Sequence, residues 1–349
     1  MPVPPIEEGR VNSRERVYRA ISFKKPDRIP LQHGVLPAAL FRHGQGLCDL
    51  LGEYASDVYT GPWSIPSPEK LPVSYRRGGG TDEWGCVWAN RVDGVLGQIV
   101  GRPLADWSRF GSYEFPAHAS LEEITTFQKG LNAEHEAHVL AGGFNLFERM
   151  QWLRGYEQVL IDIATGAPEA YELRDALTEW GAEELRRWVT TNADGISLAD
   201  DWGTQTALMI HPDQWRRIFL PSYRRFCEIA HQAGKVVHFH SDGMVWEIME
   251  DLVDAGVDVL NVQQHVIGLE RIARRFAGRI CFRTDLDRQF ILPRGTPEEV
   301  RQHVRQTIEA LGSPRGGLIG HGEIGPDVPL ENVRAMFQAF REFGVYNEK

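Results

Sequence analysis

From Asp194 to the C-terminus, short apolar runs alternate with amphipathic stretches of helical length, which restricts the chain to a few α/β architectures. Residues 194–199 (DGISLA) predict a strand, 211–233 a long helix stopped at Gly234, and 235–239 the next strand. A helix is expected over 245–255, a strand over 257–262, a helix over 269–276 and a strand over 279–283. Thr296, followed by Pro297 and by Glu299 three positions on, has the spacing of a capping box and opens a helix to about Leu311. A last strand over 316–320 and a last helix over 331–343 complete the series. Repeated strand–helix units imply parallel strands joined by right-handed crossovers, either closed into a barrel or open and doubly wound. Periodicity does not separate the two. The dinucleotide-binding form of the open sheet lacks its signature, because no GxGxxG follows a strand and Gly78-Gly79-Gly80 runs into Thr81-Asp82-Glu83-Trp84.

The N-terminal half is less regular. A helix is expected over 13–20, a short strand over 28–32, and broken helix over 36–54. Residues 60–116 are rich in Gly, Pro and Trp, with alternation near 86–89 and 95–100 that suits a hairpin. The pattern resumes at 137–141 and in a long helix over 167–190. The fold expected from these patterns is therefore α/β, a barrel or an open sheet in one domain over residues 1–349, with 60–116 an excursion over the mouth.

Charge and cysteine content narrow the partners. A formal charge of -10 disfavours nucleic acid and anionic membranes, which attract clustered Lys and Arg, and points to a small-molecule substrate or protein partners. The four cysteines, at 48, 86, 227 and 281, form no CxxC pair and resemble no secreted disulfide framework. No secretory leader and no run of about 18 apolar residues is read, so a cytoplasmic protein is expected.

In a parallel barrel the chemistry gathers where strands end. Asp200 and Asp201 follow the strand at 194–199; His240, Ser241 and Asp242 follow 235–239; Gln263, Gln264 and His265 follow 257–262; Asp285 and Asp287 follow 279–283; His321 and Glu323 follow 316–320. Strand alternation puts His238, His240 and Asp242 on one face. Imidazole and carboxylate suit zinc or another divalent metal, a neutral His suits general acid–base work, and a His at a strand end also simply bonds a loop. Asp200 and Asp201 read either as site carboxylates or as caps for a following turn. His33 with Gln32, and Glu148 with Arg149, fall where the mouth needs polar groups, while Trp63, Trp84, Trp88 and Trp202 offer a wall for a flat substrate or packing under a long loop.

Several segments carry a family likeness. Asn12-Ser13-Arg14-Glu15-Arg16-Val17 with Lys25-Pro26-Asp27-Arg28-Ile29-Pro30 resembles the opening of uroporphyrinogen decarboxylase-like proteins, especially their cobalamin-dependent methyltransferase branch. Asp200-Asp201-Trp202-Gly203-Thr204-Gln205, His240-Ser241-Asp242-Gly243, the segment from Ala255 to Asn261, Gly295 to Val300 and Pro326 to Asn332 agree. The resemblance implies the closed alternative, a (β/α)8 TIM-type barrel with residues 60–116 over its mouth, together with a homodimer and an enzyme of one of two kinds: a methyltransferase working with a corrinoid partner protein, or a tetrapyrrole carboxy-lyase. A non-catalytic corrinoid- or tetrapyrrole-binding barrel is the third reading. Two departures matter. The Arg-bearing loop that clamps substrate carboxylates in the decarboxylases reads Leu31-Gln32-His33-Gly34-Val35-Leu36-Pro37 here, without Arg. The His-x-Cys pair and later Cys of the methyltransferases read His240-x-Asp242 and His321-Gly322-Glu323. The expected metal ligands are therefore a harder set, His240, Asp242 and Glu323. Asp200, Asp201, His240 and Asp242 are the expected catalytic groups. His33, Glu148, Trp202, Gln263, Asp285 and His321 are expected at the substrate.

Overall fold

A computed structural model describes residues 11–130 and 136–346. Its centre is a parallel six-stranded sheet in sequential order: β5 (Leu140–Phe144), β6 (Gly195–Ala199), β7 (Val236–Ser241), β8 (Val259–Val262), β9 (Cys281–Arg283) and β10 (Leu318–Ile319). The predicted rhythm is present, with the strands at 257–262, 279–283 and 316–320 trimmed at their ends. Gly44, at φ 59, breaks the expected helix into Pro37–His43 and Gln45–Glu53.

Two segments close the sheet into a ring. Leu31 bridges Gly320 in parallel, and β1 (Gly34–Val35) pairs with β11 (Glu323–Ile324) beyond it. Val58 bridges His138, just ahead of β5. Asp57 N donates to Leu31 O at 2.7 Å, His138 N to Asp57 O at 2.9 Å, and Gln32 N to Gly320 O at 2.9 Å. With the six sheet strands, the segments around 31–35 and 57–59 make an eight-membered ring, so the closed alternative is the one adopted. The segment at 57–59 has no sequence signature because it is too short for alternation to register.

That short strand is held by charge. The Asp57 carboxylate, 1% exposed, accepts from Ser13 Oγ, Arg16 Nη1, both terminal nitrogens of Arg28, and Leu31 N, at 2.7 to 3.0 Å. A buried carboxylate is tolerated only when its lone pairs are taken up in this way. The helix Ser13–Ile21 seals the base of the ring, with Val17 packed on Val58, Val259, Cys281 and Ile319. The capping box at Thr296 forms with both reciprocal bonds, a local contribution of about 1 kcal/mol.

Residues 80–101 build a separate antiparallel sheet, β2 (Gly80–Thr81), β3 (Val87–Ala89) and β4 (Gln98–Gly101). Trp84 packs on Trp180 at 4.7 Å, and Arg149 lies over both Trp84 and Trp152. Gly94 meets the barrel backbone, where Ala38 N donates to its carbonyl. Its φ of +83, and a Cβ position 2.4 Å from Ala38 N, make glycine the only comfortable residue there. The excursion is thus fastened at both the first helix after β1 and the helix after β5.

Candidate active site

The loops after β6 and β7 cross backbone to backbone at the mouth. A Cβ on Gly243 (φ +81) would sit 2.2 Å from Gly203 O, so the approach requires a residue without one. This crossing brings the carboxylates of Asp201 and Asp242 to His240. Asp242 N donates to Asp201 Oδ1 at 2.9 Å. His240 Nε2 lies 3.3 Å from Asp242 Oδ1 and 3.7 Å from Asp201 Oδ1. One potential ligand atom from each of the three residues falls within 4.8 Å of the others.

Burial and the Asp242 charge push the Asp201 carboxyl above the usual range. Asp242 Oδ2 is taken by Arg288, whose other arm holds Glu323 Oε1 at 2.9 Å. Asp242 Oδ1, though buried, has no hydrogen-bond donor among the described residues. On the far side of the ring, His240 Nδ1 contacts Asn261 Oδ1 at 2.6 Å. A neutral imidazole protonated at Nδ1 would aim the Nε2 lone pair at two carboxylates, an arrangement that calls for a cation between them. One imidazole nitrogen and two carboxylate oxygens, one without a donor, are a donor set that fits a divalent transition metal.

Further acids surround the cluster. Burial pushes Glu148 up to about 8 and Asp285 up to about 7. Tyr75, from the excursion, is raised by burial and by the charges of Glu323 and Glu148. Arg283 is half-buried, and desolvation lowers it to about 10.

The expected site residues separate into two groups. His240, Asp242, Asp201, Glu148, Asp285 and Glu323 meet around the mouth. The carboxylate that lies with His240 and Asp242 is that of Asp201, where the sequence pointed to Glu323; Arg288 bridges Glu323 and Asp242. Asp200 is engaged as a cap: it accepts from Leu146 N, Glu148 N and Tyr223 Oη at 2.7 to 2.9 Å and has no exposed surface. Trp202 is equally enclosed, stacked on Phe147 at 3.9 Å with its indole N–H on Tyr223 Oη. His33 has both nitrogens committed, Nδ1 accepting from Trp63 Nε1 and Nε2 bonded to Tyr54 O, and burial lowers it to about 4. Gln263 accepts from Gly243 N and so braces the β7 loop, while the buried His321 has Nδ1 on Thr284 O. The contacts named tie Asp200, Trp202, His33 and Gln263 into the scaffold, while His321 is held at Nδ1 and feels the charges of His240 and Arg288. Arg288, Asn261, Arg283 and Tyr75 were not anticipated. Asn261 did carry a signal, a lone amide inside the apolar run Val259–Val262.

Comparison with known proteins agrees with this architecture. The uroporphyrinogen decarboxylase (URO-D) family model matches residues 116–343, well over half of the chain. The chain belongs to the uroporphyrinogen decarboxylase family. Curated uroporphyrinogen decarboxylases from Coxiella burnetii (strain RSA 331 / Henzerling II) and Schizosaccharomyces pombe are 26% and 25% identical to it over 187 residues, 51% of this chain and 49% and 50% of theirs. The chain thus spans about half the length of the curated relatives it matches. A methyltransferase from Methanosarcina mazei superposes over 96% of this chain and 99% of its own with a TM-score of 0.67 and 17% identity, which identifies a shared barrel fold. Among the described residues, no helix is long and apolar enough to cross a membrane.

Proposed function

We propose that this URO-D family chain is a metal-dependent methyltransferase that removes a methyl group from a heteroatom of a small molecule, the acceptor being a corrinoid on a separate protein. The observation that carries the reading is the Asp201, His240 and Asp242 cluster, with a buried carboxylate oxygen lacking a donor beside an imidazole nitrogen. A divalent metal held there supplies Lewis acidity that draws electron density from the methyl-bearing heteroatom. The ligand set is hard, and no thiol belongs to the cluster among the described residues. All four cysteines are buried, with burial pushing the thiols of Cys86 and Cys227 up to about 12. An oxygen- or nitrogen-bound methyl group suits such a site better than a thiolate acceptor does.

The remaining residues have definable tasks. Glu148, protonated through neutral pH, is placed to give its proton to the heteroatom that keeps the electron pair when the methyl group leaves. Arg288 fixes Asp242 and Glu323. Charge also weighs against the decarboxylase reading: Arg288 already spends its charge on Asp242 and Glu323, and Arg283 donates to the Asn261 amide oxygen, a poor reception for a polycarboxylate. The test is transfer of methyl groups from a panel of methyl ethers and methylamines to cob(I)alamin, read by its absorbance. Transfer abolished in His240→Ala supports the reading; carbon dioxide release from uroporphyrinogen, with no transfer, replaces it.

A further inference from the structure

Asn261 lies where β8 meets the mouth, its register pairing it with His240 across the sheet. Its side-chain amide nitrogen donates to two backbone carbonyls, Arg283 O at 3.0 Å and Thr284 O at 3.1 Å. Its Oδ1 receives Arg283 Nη2 at 2.5 Å. These three partners define which end of the amide is which. A flipped side chain would set an NH2 against a guanidinium and an oxygen against two carbonyls, losing every bond. The Oδ1 that reaches His240 Nδ1 at 2.6 Å is therefore an acceptor, and the ring must supply the proton.

We propose that Asn261, clamped by Arg283, is a positioning residue that holds His240 as its Nδ1–H tautomer and leaves Nε2 bare toward Asp201 and Asp242. The inference deepens the metal reading but stands on hydrogen-bond geometry, which holds whether or not a metal binds. The two carboxylates near Nε2 pull the other way, toward the Nε2–H form that free imidazole also favours and that would close the nitrogen to a ligand, so the Asn261 contact is what opposes them. Arg283 belongs to the device. Asp285 and Glu323 act on its charge from a distance, and the Asn261 oxygen gives its guanidinium a direct acceptor. Replacing a residue that orients a ligating histidine weakens metal binding by roughly 10- to 100-fold.

The test uses 15N-histidine-labelled, metal-stripped protein and two-bond 1H–15N spectra at about pH 9, with the His240 signals assigned by their loss in His240→Gln. The wild type should show a protonated Nδ1 and an unprotonated Nε2. Asn261→Leu should move the ring toward the Nε2–H form, and Asn261→Asp, which keeps the acceptor, should restore the wild-type pattern. Circular dichroism of each variant reports whether it folds. Zinc titrated into the same samples should bind 10- to 100-fold more weakly to Asn261→Leu than to the wild type. An Nε2–H ring in the wild type, or an unchanged ring in folded Asn261→Leu, overturns the proposal. The wild-type tautomer as stated in a protein that binds no divalent metal upholds the positioning and removes the metal reading instead.

Discussion

Acid should expose how many histidines this barrel holds in the neutral form. His138, 3% exposed, is lowered to about 4 by burial, from an ordinary value of 6.5. The unfolded chain takes up a proton at this residue near pH 6.5, and the folded protein does so only near pH 4. As pH falls through that window the unfolded state binds more protons, so the residue subtracts stability at about 1.4 kcal/mol per pH unit, on the order of 3 kcal/mol in all. The whole protein need not show this slope. Asp200 and Asp285, both pushed up to about 7 by burial, work in the opposite sense: their folded forms hold protons that the unfolded chain has lost, so they stabilise as pH falls. A difference measurement isolates the histidine. Urea denaturation of wild type and His138→Gln, followed by tryptophan fluorescence at pH 7, 6, 5 and 4, should show the variant gaining on the wild type toward pH 4 by about 3 kcal/mol, whatever its offset at pH 7. A stability difference that stays constant from pH 7 to pH 4 refutes the argument that His138 is held neutral.

The two adjacent aspartates should behave differently. Asp200→Ala strips three buried donors of their acceptor and should cost on the order of 3 kcal/mol in a urea melt, while zinc affinity, measured by calorimetry on whatever remains folded, stays near wild type. Asp201→Asn should reverse that pattern, with an ordinary melt and zinc binding weakened at least 10-fold. Gly94→Ala puts a methyl group against Ala38 N at positive φ and should lower the melting midpoint, a loss of about 1 to 3 kcal/mol. Because Cys48, Cys86, Cys227 and Cys281 are all buried, a thiol-labelling disulfide reagent should react with none of them in native protein and with all four in urea. Rapid native labelling of any one would contradict the packing described.

The C-terminal half was legible because each of its strands is followed by a full amphipathic helix, and the pairing of periods 2 and 3.6 is hard to mistake. The strand around 57–59 was not, since it is three residues of backbone held in register by the Asp57 carboxylate rather than by apolar alternation. The cluster at His240 and Asp242 followed from strand parity. Its third member did not, because Asp201 arrives through a crossing of two loops at Gly203 and Gly243 that no local pattern encodes. Asp200 and Trp202 sit beside Asp201 in the chain yet turn inward, one to cap the helix Leu146–Arg154 and the other to stack on Phe147. Adjacent residues at a strand end point to opposite sides, and only the fold says which side is the mouth. Arg288 was invisible for a related reason: it comes from the long loop after β9, where spacing carries no information about direction.

Metal content of purified protein, measured by mass spectrometry on wild type, His240→Ala, Asp201→Asn and Glu323→Gln grown in parallel, tests the central claim most directly. The account predicts a divalent metal at close to one per chain in the wild type and in Glu323→Gln, and its loss in His240→Ala and Asp201→Asn. A wild type that takes up no divalent metal even on reconstitution, or one whose metal survives both substitutions, contradicts it.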